Sequence, residues 1–136
     1  MLRRVAVFRY ELRRFLRFSE RAARACGVTP QQHQLLLGVA GFSRNGSTTI
    51  SDLAEFLQER HNAVVGLVER AAQHGLVRKE QGQPDRRVVR VSLTRPGAAV
   101  LKKLTQLHLD ELGRVRAQIP KGFKLRPQAA RKTREA

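Results

Sequence analysis

The hydrophobic pattern at the start of the chain is helical. Over residues 2–26, small and apolar residues recur every three or four positions, which places them on one face of a long amphipathic helix. These residues are Val5, Phe8, Leu12, Phe15, Ser19, Ala22 and Cys26. Arginines occupy much of the remaining surface, and Gly27 is a plausible C-terminal stop for the helix.

Three shorter helices are predicted next. Thr29–Gln32 is a strong helix start, because a threonine cap precedes proline at the first helical position and glutamine completes a capping box. A polar turn over 43–48 separates this helix from a third one, for which Ser51 is the predicted cap. A fourth helix runs from about His61 to His74 and ends at Gly75.

The period then changes from helical to alternating. Leu76–Glu80 and Val88–Leu93 are candidate strands, and Gln81–Asp85 between them is a turn. Together they predict a two-stranded hairpin with a charged tip. The pattern as a whole predicts a mainly α fold with a small β-hairpin.

A last long helix starts at Thr94-Arg95-Pro96 and ends before Pro120. Its apolar stripe comprises Leu101, Leu104, His108, Leu112, Val115 and Ile119. Two long amphipathic helices that flank a small unit favour a homodimer. We therefore divide the chain into an N-terminal dimerisation helix, a winged helix-turn-helix region, a C-terminal dimerisation helix and a basic flexible tail. The ranges are 1–28, 29–97, 98–119 and 120–136.

The net charge of the chain indicates which classes of molecule it binds. The chain has 27 basic and 11 acidic residues, a formal net charge of +16, so nucleic acid is the first partner to consider and an anionic membrane the second. No apolar run approaches the roughly 18 residues of a membrane span, and the N-terminus has no signal-peptide apolar core. Cys26 is the only cysteine, which excludes an intrachain disulfide and favours a cytoplasmic protein.

The third and fourth helices form a helix-turn-helix, in which the start of the second helix reaches base edges in the major groove. Asn62 can pair bidentately with adenine, and Arg60 and His61 can donate to guanine or phosphate. Ala63 and Val65 can touch a thymine methyl. Gly66 is unusual inside a helix, and close approach to DNA or close packing against another helix would explain it equally well.

The hairpin corresponds to a wing, and its tip carries Asp85, Arg86 and Arg87. An arginine fits the narrow minor groove, where the negative potential is concentrated. Beside two arginines, the Asp85 carboxylate makes sense if it holds one guanidinium in a fixed orientation. Taken alone, the tip would be an ordinary solvated turn, but directly after a helix-turn-helix the wing interpretation is favoured.

Catalytic chemistry is not indicated. The chain shows no paired carboxylates in a plausible pocket, no nucleophile–base spacing and no phosphate-cradling glycine loop. Its four histidines form no metal-binding pattern, so we expect no enzyme activity, cofactor or metal. Cys26 is a candidate redox sensor or, more simply, a small buried residue at a helix end.

Residues 53–97 resemble the MarR family of bacterial regulators, and the likeness extends over roughly residues 5–118. No single match is decisive, but the joint order and spacing are highly specific. The matching positions are Leu53-Ala54, Val64, Leu67-Val68-Glu69-Arg70, Gly75-Leu76-Val77, Asp85-Arg86-Arg87, Val91-Ser92-Leu93-Thr94 and Gly97.

The resemblance implies several roles. The helix from His61, with Arg70 farther along it, would be the recognition helix. Arg87 would enter the minor groove, with Asp85 orienting it. The first and last helices would form the dimer. Such proteins usually repress from a pseudo-palindromic operator on double-stranded DNA in the bacterial cytoplasm and nucleoid, and many are released by a small phenolic or anionic effector.

The chain departs from this family in two places. A short basic tail replaces the further C-terminal helix that many members carry, so the dimer interface must rest on the first and last helices. The recognition helix lacks the serine and threonine residues common at its start, so an inherited base preference is not assumed.

Two alternatives stay open. Tyr10, Phe15 and His108 are candidates for an effector pocket, although simple packing explains them as well. The charge and the tail also fit a non-specific nucleic-acid-binding protein, either nucleoid-associated or RNA-binding.

Overall fold

The computed structural model describes residues 1–43 and 45–118, and the basic tail predicted after Pro120 lies outside this part of the chain. Five helices surround a small antiparallel sheet. In chain order the elements are α1 (Leu2–Ala25), α2 (Pro30–Gly41), β1 (Ser47–Thr49), α3 (Ile50–Leu57), α4 (His61–Gln73), β2 (Val77–Gln81), β3 (Val89–Leu93) and α5 (Arg95–Gln118). None of the described helices is long and apolar enough to cross a membrane.

The start of α2 is as predicted. Thr29 accepts a hydrogen bond from the Gln32 backbone N–H at 3.0 Å, and the Gln32 side chain accepts one from the Thr29 N–H at 3.0 Å. The predicted cap of α3 is wrong, because Thr49 and not Ser51 caps this helix. Thr49 has an extended backbone, and its hydroxyl accepts from the Asp52 N–H at 3.1 Å.

The predicted two-stranded hairpin is part of a three-stranded sheet. β3 lies in the middle, with β2 on one side and β1 on the other. β1 pairs antiparallel with β3, so that Thr48 lies opposite Val91. Ser47 and Thr48 were predicted from the sequence to lie in a polar turn, because a short run of serine and threonine carries no hydrophobic alternation.

The hydrophobic core joins the central helices to the sheet. α2 contacts α3, α4, α5, β3 and α1, so it lies at the centre of the molecule. The largest fully buried side chains are Leu35, Leu36, Leu53, Leu104, Val39, Val64, Val68, Val91 and Thr48. They come from both the predicted helix-turn-helix region and α5, so the two parts share one core.

The junction between α4, the hairpin and α5 is unusually tight. The Thr94 hydroxyl donates to the Gly75 carbonyl at 2.6 Å and accepts from the Gly97 N–H at 3.1 Å. A Cβ built on Gly97 would lie 1.9 Å from the Leu76 carbonyl oxygen. The first turn of α5 therefore rests directly on the backbone that enters β2, and only glycine fits at position 97.

A pair of glycine substitutions in α5 tests this junction. Gly97→Ala should lower the free energy of unfolding by about 1–3 kcal/mol or more, since backbone must move to admit the methyl group. Gly113→Ala is the matched control, because a Cβ there meets nothing within 4 Å. Alanine is the better helix former by about 1 kcal/mol, so the control should be stabilised. Urea unfolding measures both, and equal effects in the two variants would contradict the tight junction.

Candidate nucleic-acid interface

Helix α4 buries one face and exposes its start. Val64, Leu67, Val68 and Ala71 pack into the core. Seven positions were proposed from the sequence as recognition residues. Of these, Arg60, His61, Asn62, Ala63 and Arg70 are exposed, and Val65 and Gly66 are half-buried. The structure therefore presents the N-terminal turn of α4 to solvent, as base recognition in a groove requires.

The turn before α4 is short. Gln58 ends α3 in the left-handed conformation, with φ of 53°, and Arg60 is the N-cap of α4. No side chain caps α4, and no acidic residue lies in its first turn. The positive end of the helix dipole therefore faces outward without a carboxylate in that turn, which favours a phosphate oxygen nearby.

Gly66 does not serve helix packing. Among the described residues, the only atom within 4 Å of a Cβ built there is Nη1 of Arg70, at 3.3 Å on the same helix. The alternative that Gly66 lets another helix approach is therefore wrong. Close approach of DNA at this position stays a prediction.

The wing tip has the geometry expected of its acid–base pair. Oδ1 of Asp85 accepts from the Arg87 backbone N–H at 3.0 Å and from Arg87 Nε at 3.3 Å. The Arg87 side chain is nevertheless 92% exposed. Asp85 thus holds the inner edge of the guanidinium and leaves its terminal nitrogens free to donate outward. Arg86 is also exposed beside it.

The base of the wing is narrow. A Cβ built on Gly82 would lie 2.9 Å from the Val88 carbonyl oxygen and 3.0 Å from that of Asp85. Val89 packs against the core. Glycine at position 82 therefore lets the loop close tightly over the strands that carry Asp85 and Arg87.

Helix α4 and the wing are connected directly. β2 packs against α4, and Nζ of Lys79 lies 3.9 Å from Oε1 of Glu69 across this contact. Both side chains are about half exposed, so the ion pair itself adds little stability. The ion pair does neutralise the Glu69 carboxylate near the wing, which reduces its repulsion of a DNA phosphate backbone.

The three residues proposed for an effector pocket are not brought together. Phe15 and His108 meet edge to face, with ring centroids 5.7 Å apart. Tyr10 lies apart from this contact. It is 55% exposed, and its ring lies 5.8 Å from the Arg14 guanidinium carbon.

His108 instead joins α1, α2 and α5. Its Nδ1 lies 2.6 Å from the Leu104 carbonyl oxygen, so this nitrogen must carry the proton and donate. In the neutral ring, Nε2 then accepts from the Ser19 hydroxyl at 2.8 Å. The His33 ring lies 4.7 Å from the His108 ring, centroid to centroid. This arrangement is typical of interior packing.

Burial governs the ionisation of His33. The residue is 4% exposed, and its Nδ1 has no hydrogen-bond partner in the part of the chain that the structure describes. Desolvation lowers the pKa of His33, and the neighbouring His108 lowers it further. Burial therefore favours the neutral form of this ring in the folded protein.

Cys26 caps the C-terminus of α1. Its backbone N–H donates to the carbonyls of Ala22 and Ala23, and its half-buried side chain packs against the core. The position of Cys26 at a helix end is sufficient to explain a small apolar residue there. A redox role for Cys26 stays a prediction.

An ion-pair group between α1 and α5 was not predicted from the sequence. Nη2 of Arg114 lies 3.3 Å from Oε2 of Glu11 and 2.8 Å from Oε1 of Glu111. Glu11 is only 6% exposed. A signal was present, because Glu11 lies three residues after Phe8 and four before Phe15, on the apolar face.

Comparison with known proteins agrees with this architecture. A MarR family model matches residues 27–88. The transcriptional repressor MdtR of Bacillus subtilis is 35% identical over 71 residues, which are 52% of this chain and 44% of that protein. The match therefore spans less than half of that relative. Over these residues the chain is similar to the MarR family.

Solved structures share the fold. The M. tuberculosis transcriptional regulator MosR, solved in complex with DNA, is 27% identical with a TM-score of 0.63, covering 83% of this chain and 80% of that one. A cysteine-to-serine mutant of E. coli MarR complexed with operator DNA has a TM-score of 0.70 at 20% identity, covering 85% and 81%. These winged-helix structures confirm the predicted mainly helical fold class.

The pH dependence of stability tests the burial of His33. A histidine whose pKa is lowered on folding binds its proton more readily when unfolded, so protonation favours unfolding. Its contribution is complete above the ordinary value of 6.5 and is lost as the pH falls toward the lower folded pKa. We expect the free energy of unfolding to fall between about pH 7.5 and pH 5.5.

His33→Gln should flatten this decline, whereas His61→Gln, at an exposed position, should leave it unchanged. Chemical unfolding at the two pH values measures the difference. An equally steep decline in all three proteins would show that His33 does not contribute.

Proposed function

We propose that the protein is a sequence-specific double-stranded DNA-binding transcriptional regulator that represses as a homodimer. One observation carries this proposal. The uncapped, exposed start of α4 and the Arg87 guanidinium held by Asp85 belong to packed neighbours, α4 and the hairpin. Such a pair can occupy a major groove and the adjacent minor groove of one duplex.

The relatives support the regulatory role. MdtR is named as a transcriptional repressor, and MosR and E. coli MarR were solved with DNA. These are regulators rather than enzymes, which favours a binding protein without catalytic activity. We place the protein with its DNA in the bacterial cytoplasm.

Base recognition is assigned to the first turn of α4. Asn62 is exposed there and can pair bidentately with adenine in the major groove. Arg60 and His61, at the helix start, can donate to guanine or to phosphate. Ala63 and Val65 supply apolar contact to a thymine methyl, and Gly66 lets the DNA approach closely. Arg70 lies one helical turn beyond Gly66, where it can reach the backbone.

The wing is assigned to the minor groove. The free edge of the Arg87 guanidinium faces solvent, and Asp85 fixes the direction in which it points. Arg86 adds a second charge for the flanking phosphates. This arrangement limits the orientational freedom that Arg87 would otherwise lose on binding.

The homodimer is supported by exposed apolar residues on the two long helices. Large apolar side chains that are 40–84% exposed in the single chain are Leu2, Val5, Leu12 and Leu16 on α1 and Leu109 and Leu112 on α5. Monomers rarely expose so many together, and a second copy would cover them. We therefore retain residues 1–28 and 98–119 as the dimerisation helices around the DNA-binding region 29–97.

Release by an effector calls for a different site from the one predicted. A cavity of about 310 Å³ lies between α1, α2 and the ends of α3 and α4, lined by Leu16, Pro30, Leu57 and Leu67 together with polar residues. Glu20 and Glu59 are its charged lining residues among those described. Two carboxylates disfavour an anionic effector, which is one of the two kinds that the resemblance implies, and they favour a neutral or cationic one.

The alternative is non-specific binding, favoured by the net charge of +16. Electrostatic attraction to phosphates has no sequence preference and weakens steeply with salt. The two functions therefore differ in whether one duplex sequence is retained against excess competitor.

Binding-site selection from random duplexes tests specificity and dimerisation together. We expect a pseudo-palindromic motif whose half-sites are about 10 base pairs apart, one helical turn, retained about 10³-fold over bulk DNA. Asn62→Ala should relax one position in each half-site, at a cost of about 1–3 kcal/mol. Equal loss of every sequence to competitor would favour the non-specific alternative, and a single asymmetric half-site would contradict the dimer.

Substitution at the wing tip tests the minor-groove assignment. Arg87→Ala should weaken binding to the selected duplex about 10–100-fold, since a charge-assisted hydrogen bond contributes about 1.5–3 kcal/mol. Asp85→Asn should cause a smaller loss, because the arginine remains but is less well oriented. Arg95→Ala, an exposed arginine at the start of α5, is the control of equal charge and should change affinity less than about two-fold. Equal losses of affinity in Arg87→Ala and Arg95→Ala would show that the wing arginine contributes only its charge, which would contradict the minor-groove assignment.

A further inference from the structure

Helix α1 carries an arginine stripe that the proposed function does not use. At about 100° per residue, seven arginines fall within an arc of about 140°. They are Arg3, Arg9, Arg13, Arg14, Arg17, Arg21 and Arg24, and all are exposed. We call this set the arginine stripe. Arg4 is the one arginine of α1 outside the arc.

The stripe faces away from the core. The buried residues of α1 are Glu11, Ser19, Ala22 and Ala23, which lie on the other side of the helix. α1 packs against α5 and α2, whereas α4 packs against α2, α3 and β2. The stripe and the recognition helix therefore belong to different parts of the fold.

The charge of the stripe is not neutralised within the chain. Among the described residues, none of its arginines forms an ion pair. Glu20 is the one carboxylate within the arc, and Glu11 is buried against Arg114 instead. Seven like charges on one face repel one another, so the stripe is better satisfied by an external polyanion.

The chemistry of the stripe fits a phosphate backbone. Helix α1 has no lysine, and arginine is the residue that recognises phosphate bidentately. At about 1.5 Å per residue, the stripe is about 32 Å long from Arg3 to Arg24. One turn of duplex DNA is about 34 Å long. Tyr10 lies within the arc and is 55% exposed, so its hydroxyl is a further donor to phosphate.

Other occupants fit less well. A second copy of the chain would oppose arginine to arginine across a two-fold axis. A bilayer would need an apolar face to insert, but the apolar residues that α1 leaves exposed are the ones assigned above to the dimer interface. A single strand is recognised mainly by stacking on several aromatic rings, and Tyr10 is the one aromatic residue in the arc.

We propose that the arginine stripe of α1 binds the phosphate backbone of a second DNA duplex, so that one dimer bridges two DNA segments. The binding of the first duplex rests on the proposed function, whereas the stripe is an independent surface. The contact is sequence-independent and sensitive to salt.

A bridging assay tests this inference. Beads carry the selected duplex, the protein is added, and a fluorescent duplex of unrelated sequence is offered in solution. The stripe variant is Arg13→Gln with Arg17→Gln and Arg21→Gln, and the control of equal charge is Arg95→Gln with Lys102→Gln and Lys103→Gln on α5. All six residues are exposed, and glutamine is a good helix former, so both variants should fold, as circular dichroism will check.

We expect the wild-type protein and the control to capture the second duplex and the stripe variant to lose at least about 10-fold in capture. Loss of three phosphate contacts should also reduce the slope of log affinity for the second duplex against log salt by about 2.7. Binding of the stripe variant to the first duplex should stay within about two-fold of wild type.

Four outcomes would overturn the inference. In the first, the wild-type protein binds the first duplex but captures no second one. In the second and third, capture falls equally in the control variant, or it falls in Arg87→Ala but not in the stripe variant. In the fourth, the stripe binds phosphatidylglycerol vesicles or single-stranded RNA in place of duplex. Failure of the wild-type protein to bind even the first duplex would instead count against the proposed function.

Discussion

The contact between Leu76 and Gly97 determines how the DNA-binding elements are arranged. The hairpin begins after Gly75 at the end of α4 and ends at Thr94, just before α5. The Thr94 hydroxyl donates a hydrogen bond to the Gly75 carbonyl and so links the two ends of the hairpin. The Leu76 backbone packs against the first turn of α5 at Gly97, which has no side chain. Both ends of the wing are thereby held at the end of α4, so wing and recognition helix move together.

The charged side chains are divided between paired and unpaired positions. Folding brings α1 and α5 together through the buried Glu11 and its partner Arg114, so the flanking helices form a support on which α2 and the sheet are built. Two carboxylates near the wing, those of Glu69 and Asp85, are paired with Lys79 and Arg87. Among the described residues, the arginines without an ion pair include two separate groups, one in the recognition region and one on the outer face of α1. A protein with this distribution is suited to contact polyanions in more than one direction.

Local signals predicted most of the fold. The capping box at Thr29, the glycine stop at Gly75 and the change from helical to alternating period each depend on residues close in sequence. The structure confirmed them within one or two residues. The Asp85–Arg87 contact could also be predicted, because a turn that short leaves a carboxylate few other partners.

Features that depend on distant residues could not be predicted. β1 forms because it pairs with β3, which is distant in sequence. Thr49, the last residue of β1, has an extended backbone and therefore caps α3. The helical spacing of the α1 arginines was visible in the sequence, and the structure adds that the residues buried on this helix lie on its other side. Tyr10 has a helical spacing that fits a pocket as well as a surface, and the structure places it among the arginines.

If helix α4 and the wing hold adjacent grooves of one duplex, DNA cleavage by a reagent tethered to the wing will map the groove that the wing enters. Cys26 is the only cysteine, so Cys26→Ala with Arg86→Cys carries one attachment site for an iron chelate at the wing tip. We expect two symmetric minor-groove cleavage clusters, each about five base pairs from the centre of a half-site, since one helical turn is about 10 base pairs. Cleavage centred within the half-site, or spread evenly along the duplex, would contradict it.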